Sequence, residues 1–113
     1  MHEMSLALNI IDIAEEEASK ANASGIDIIE IEIGSISGID VSALKFALDI
    51  AVKNTMLEKS MRKIIPIQGK GECIDCNSVF PLEGYYQPCP KCNSQAVNII
   101  QGKELRIKSI NIY

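Results

Sequence analysis

The chain has no tryptophan, two phenylalanines, three tyrosines and a single histidine among 113 residues. Its core must therefore be aliphatic, and isoleucine dominates the apolar set. With one imidazole and no recognisable nucleophile motif, general acid–base catalysis has few candidates. Basic residues are also short, 11 against 15 acids for a net charge of -4, which argues against a general nucleic-acid binder needing Lys and Arg to displace counterions. No stretch approaches the ~20 apolar residues that cross a bilayer. The start of the chain lacks the basic n-region and apolar h-region of a signal peptide, so a cytoplasmic location is expected. Nothing matches GxxxxGK[ST], so nucleotide hydrolysis by this chain is not expected.

What is present suits a small globular protein, one domain or a small domain plus a smaller one. Leu6, Ile10, Ile13, Ala14 and Ala21 recur at helical spacing and predict a helix over about 4–22 that Gly25 stops. IDIIEIEIG (26–34) alternates, placing Ile29, Ile31 and Ile33 on one face and Glu30 and Glu32 on the other, as in a half-wet strand. Asp40 and Ser42 are candidate caps for a second helix over about 41–55, carrying Leu44, Leu48, Ala51 and Val52 on its apolar side. RKIIPI (62–67) reads as a strand whose Pro66 suits an edge or a strand end. Lys59, Arg62, Lys63 and Lys70 form a basic run, read as an edge-strand or solvated face. From Gly69 to about Asn98 the chain becomes rich in Gly, Pro, Cys and Asn. AVNII and ELRIKSINIY then read as strands, the last expected to return to the first sheet.

The four cysteines fall as CIDC, twelve residues, CPKC: Cys73, Cys76, Cys89 and Cys92. Two such turns aim four thiolates at one ion, a set that suits tetrahedral zinc. In a reducing compartment metal binding is favoured over disulfides; a dithiol redox switch and an iron–sulfur cluster are the alternatives. A segment of roughly 30 residues cannot fold on its own core without a staple, and a structural zinc contributes about 10–16 kcal/mol in apparent terms near neutral pH. Four thiolates leave no open position for catalysis. Asn77 and Asn93 each follow a cysteine pair, where a residue tolerant of the left-handed backbone turns amide N–H groups toward sulfur.

His2 sits beside the amino terminus. The Met1 amine, the His2 backbone nitrogen and Nδ1, and the Glu3 backbone nitrogen can together chelate one metal through four nitrogens. Planar nitrogen sets suit nickel(II) or copper(II), and because amides must lose protons the binding strengthens with pH.

The chain as a whole resembles the HypA/HybF family of nickel metallochaperones. The resemblance rests on MHEMSLA at residue 1, on IEIGSISG, on the two CxxC pairs and on GKELRIKSI near the carboxyl end, and it covers essentially the full length. It implies an α+β fold of two helices on a small mixed β-sheet, with an inserted zinc-ribbon-like four-cysteine domain. The expected division is a nickel-binding domain of residues 1–68 plus 99–113 and a zinc-binding domain of residues 69–98. It implies nickel held by the Met1 amine, the His2 side chain and backbone and the Glu3 backbone, with structural zinc on Cys73, Cys76, Cys89 and Cys92. It further implies delivery of nickel to [NiFe] hydrogenase, and in some bacteria urease, alongside a HypB-type GTPase and the hydrogenase large subunit or its maturation complex. No catalysis, nucleic acid or membrane is implied; exposed sheet edges leave a homodimer open. Two departures stand out: members often read GELSGV with a following proline where this chain has Ser35 and Val41, and Gly commonly follows each CxxC where Asn77 and Asn93 stand. The first could alter a partner surface. Asp40, in the same turn, is read as a helix cap. The rival reading is a small zinc-ribbon adaptor binding protein or nucleic acid, which gives His2 no task.

Overall fold

A computed structural model describes residues 3–113. The elements in chain order are α1 (Glu3–Lys20), β1 (Ile26–Gly34), α2 (Val41–Ala51), β2 (Met61–Ile67), β3 (Lys70–Cys73), β4 (Val79–Pro81), β5 (Val97–Gln101) and β6 (Leu105–Ile112). They form two three-stranded sheets, ordered β2-β1-β6 and β4-β3-β5. The class is α+β, and the closing strand returns to the first sheet as its alternation predicts.

Two compact units emerge: Met1–Glu32, Ile39–Ile65 and Arg106–Tyr113 form one, Ile33–Gly38 and Pro66–Leu105 the other. In the first, β1 is the central strand and its Ile29 and Ile31 are fully buried. Burying one such side chain contributes roughly 1.5–3 kcal/mol, so a core poor in aromatics is still sufficient. β2 is an edge strand, which accommodates Pro66 without a missing ladder bond. In the basic run, Arg62 bonds Asp49 at 2.9 Å and the carbonyls of Leu57 and Ser60, while Lys63 stays exposed on that edge.

Three expectations need correction. The buried stripe of α1 is Ala7, Ile10, Ile11, Ala14 and Ala18; Ile13 is 46% exposed and, with Ala21, lines an apolar groove against Ile107 and Ile110 of β6. Helix α1 is stopped by Asn22, not Gly25. Asn22 takes φ 56°, its N–H donates to Ser19 O at 3.0 Å, and the Ala23 N–H donates to Ala18 O at 3.0 Å, the paired bonds of a Schellman end. Helix α2 ends at Ala51, short of the expected 55, and Asn54 at φ 63° turns the chain away.

Helix α2 begins as the sequence predicts. Asp40 is its N-cap, with the carboxylate accepting from the Ala43 N–H at 3.1 Å. In the second unit, Gly102 has φ +119°, and a Cβ built on Gly34 would collide with its carbonyl. Ser35, one of the departures, has a structural task there: its Oγ accepts from the Gly69 N–H at 2.9 Å.

Two predictions follow from this packing. Gly34→Ala should destabilise by about 1–3 kcal/mol through overpacking, whereas Gly84→Ala, with nothing within 4 Å of its Cβ, should stay within about 0.5 kcal/mol; urea denaturation of the pair checks the contrast. Asp40→Ala should cost about 1 kcal/mol by loss of the cap, read in the same way.

Candidate metal centre

The four cysteines come from two turns of the same design. After β3, the Asn77 N–H donates to Cys73 O at 2.9 Å and the Cys73 N–H to Ser78 O at 2.9 Å. Sixteen residues on, the Asn93 N–H donates to Cys89 O at 2.8 Å and the Cys89 N–H to Ser94 O at 2.9 Å. Asn77 and Asn93 take φ of 63° and 61°, the left-handed conformation that asparagine tolerates. The antiparallel pairing of β3 with β4 and β5 fixes the first knuckle, and Ile74 N–H donates to Ala96 O at 2.8 Å. The hydroxyl of Ser94 donates to Asp75 Oδ2, tying one knuckle to the other.

All four sulfurs lie within 4.8 Å of one another, with Cys73 to Cys92 at 3.5 Å and Cys76 to Cys89 at 3.7 Å. Zinc–sulfur bonds of about 2.3 Å in a tetrahedron require sulfurs about 3.8 Å apart. The donor set therefore suits a structural zinc. Among the described residues it is the one such cluster of three or more potential metal ligands. Cys73 and Cys89 are buried and pack with Ile36, Phe80 and Leu82, while Cys92 is exposed.

The thiols are not equivalent. The Ser78 hydroxyl, 3.2 Å from Cys76 Sγ, leads in drawing that thiol down to about 6, helped by the Ser78 amide. At Cys92 the Ser94 amide works downward, but hydrogen bonding to the Cys73 thiol, then desolvation and the remaining thiols, push it up to about 12. The sequence reading missed Ser78 and Ser94. Their signal was the repeated tripeptide Cys-Asn-Ser at 76–78 and 92–94.

At the other predicted site, Met1 and His2 lie outside the described residues. Glu3 opens α1, and its carboxylate accepts from the Asp40 N–H at 3.4 Å. That bond brings the third residue to the entry of α2 across 37 positions of sequence.

A sequence profile for the family described as "Hydrogenase/urease nickel incorporation, metallochaperone, hypA" matches residues 1–112. The chain belongs to the HypA family. It is 46% identical over 112 residues to the hydrogenase maturation factor HypA of Parabacteroides distasonis, covering 99% of this chain and 97% of that one. It is 39% identical to the HypA of Chlorobium phaeobacteroides, covering 99% of each. Among solved structures, the solution structure of the Ni metallochaperone HypA from Helicobacter pylori superposes with a TM-score of 0.73 at 32% identity, covering 99% of this chain and 97% of that one. The four-cysteine centre and the two-helix α+β fold are thus those of a HypA protein, and nickel fits the family as cargo. No helix among the described residues is long and apolar enough to cross a membrane.

Below about pH 9 the sign of the pH dependence follows from Cys76, whereas above it the raised Cys92 thiol acts the other way. In metal-free protein the depressed Cys76 thiol contributes stability that is complete above the ordinary value near 9 and is lost as pH falls through about 6. In the Ser78→Ala variant, metal-free, the lowest thiolate titration read by absorbance at 240 nm should move from near 6 toward 9. An unmoved titration would remove Ser78 as the cause.

Proposed function

We propose that this chain is a nickel carrier that takes up Ni(II) at its amino terminus and delivers it for maturation of [NiFe] hydrogenase, with urease as a second client. The supporting observation is the match over residues 1–112 to a family described by nickel incorporation, in a chain whose only histidine stands at position 2. The ligands are the Met1 amine, the His2 backbone nitrogen and Nδ1, and the Glu3 backbone nitrogen. A planar nitrogen set favours nickel(II) and requires ionised amides, so binding weakens as pH falls. Acid thus opposes both cargo and zinc, each for want of a deprotonated donor.

Cys73, Cys76, Cys89 and Cys92 hold a structural zinc, whose charge the four thiolates more than offset. With all positions filled by sulfur this ion orders the segment and does no catalysis. The chain is not an enzyme. Its partners are a HypB-type GTPase and the hydrogenase large subunit or its maturation complex, met in the cytoplasm, without nucleic acid or membrane. Self-association as a homodimer through a sheet edge is compatible with this role.

The bond from the Asp40 N–H to the Glu3 carboxylate supports the reading in one respect. It holds the Glu3 side chain at the entry of α2, while the Glu3 backbone nitrogen, by its place in the first helical turn, carries no intrahelical obligation. A ligand amide is available there at no cost in helix hydrogen bonds.

Nickel titration by calorimetry tests the reading, on protein with its native amino terminus, on His2→Ala and on an N-acetylated form, all with zinc retained. The native protein should bind about one nickel more per chain than either altered form. Coinciding curves would overturn the carrier reading in favour of a zinc-ribbon adaptor, which is indifferent to an acetyl group.

A further inference from the structure

The four cysteines differ in how far solvent reaches them. Cys73 and Cys89 are 0% and 1% exposed, Cys76 is half-buried and Cys92 is exposed. The flanking elements explain the difference. β3 is paired on both sides, by β4 and by β5, and carries the first knuckle at its end. The second knuckle lies in the loop between β4 and β5, where Pro90, Lys91, Cys92 and Asn93 are all exposed.

Two sulfur pairs touch, Cys73 with Cys92 at 3.5 Å and Cys76 with Cys89 at 3.7 Å. Each pair joins one knuckle to the other, and together they use every sulfur once. Within a knuckle the two cysteines are held apart as separate donors by the turn itself, which the bonds from the Asn77 N–H to Cys73 O and from the Asn93 N–H to Cys89 O fix. With a metal bound all four sulfurs are thiolates, so access to solvent, not acidity, ranks their reactivity. An oxidant arriving from water meets Cys92 first.

We propose that the metal centre is also a modification site for hydrogen peroxide, at which Cys92 is oxidised first and closes a disulfide with Cys73, Cys76 and Cys89 follow, and the metal leaves while the knuckles stay joined. The Cys92 sulfur attacks one peroxide oxygen; the O–O bond breaks, hydroxide leaves and a sulfenic acid remains. The Cys73 sulfur then attacks the Cys92 sulfur; the S–O bond breaks, a second hydroxide leaves and the disulfide is closed. The two thiolates have lost two electrons, and the peroxide has gained them. With half of its donors gone, the centre no longer holds a divalent cation tightly. A second peroxide takes Cys76 and Cys89 through the same steps, so no odd thiol is left. The loop 76–89 lies inside the loop 73–92, so the two bridges close the same segment that the metal closes. The Ser94 hydroxyl on Asp75 already spans the same two knuckles. The proposal rests on the structural-zinc reading and is independent of nickel.

The test treats full-length, zinc-loaded protein with hydrogen peroxide, reads released zinc with a chromogenic chelator and maps the cysteines by alkylation and mass spectrometry. Cleavage at Asp75, Glu83 and Lys91 puts each cysteine on its own fragment. At partial oxidation the Cys92 fragment should be bridged to the Cys73 fragment. At completion the Cys76 and Cys89 fragments should be bridged as well, with about one zinc released per chain. The amide signals of β3, β4 and β5 should stay dispersed, and dithiothreitol with added zinc should restore the starting metal content. In Cys92→His, which keeps a zinc donor, release should slow several-fold; if that variant loses its metal, the wild-type map decides alone. Bridges within a knuckle, a first bridge without Cys92, zinc retained after the bridges close, or loss of the β3, β4 and β5 signals would overturn the proposal. Metal analysis before the peroxide separates the two readings. A chain that holds no zinc and takes none up defeats the structural zinc itself, whereas zinc held and then released through other bridges, or not released, defeats only the modification site.

Discussion

Four thiols held within 4.8 Å of one another set the terms for the second unit. The chain by itself ionises Cys76 readily, through the Ser78 hydroxyl and amide, and Cys92 with difficulty, because the neighbouring thiols and desolvation oppose its charge. A single divalent cation relieves that crowding at all four sulfurs together. Cys73 and Cys89 are also core residues, packed against Phe80 and Leu82. The ion site and the small apolar core are thus one object, and β3, β4 and β5 are short because they need only deliver the two knuckles to it. Ser78 and Ser94 repeat the same bond in each knuckle, so the half-sites arrive with matching shapes.

In the first unit the organising tie is polar and long in sequence. Glu3 and Glu15 each give a carboxylate to a backbone N–H at either end of α2, at Asp40 and at Met56. These bonds satisfy donors outside the helical ladder, of the kind that helix ends leave without partners. They also fix the pitch of α1 against α2, so Glu3, the last of the proposed nickel ligands, begins a helix whose orientation is already set.

Periodicity and spacing made part of this legible. The alternation of 26–34 predicts β1 with the observed bounds, and the spacing of the cysteines predicts their convergence. The cap at Asp40 was legible too, because an aspartate before an apolar helical run has one common use. The buried face of α1 was not, because alanines at 7 and 18 carry little amphipathic signal and Ile13 serves a groove against β6 instead of the core. The end of α1 was misplaced because glycine is the habitual stop, yet Asn22 reaches the left-handed conformation first. Ser35 looked like a change of surface and is a hydrogen-bond acceptor for Gly69, a link across 34 positions that no local pattern announces. The bond between Glu3 and Asp40 was hidden for the same reason.

The uneven distribution of charge has a consequence for encounter. The chain's excess of acid is concentrated in its first forty residues, while residues 41–70 are basic. The charge is therefore segregated along the chain as well as net acidic. A hydrated divalent cation diffusing nearby meets an attractive potential along α1, which holds five acids and one lysine, and none from α2, which holds one of each. Arrival is thereby focused toward the half of the chain that contains the amino terminus, before any ligand exchange begins. Such focusing fades over a Debye length of about 8 Å at physiological ionic strength, so the rate of cation arrival, more than the strength of its final coordination, is the property that added salt changes.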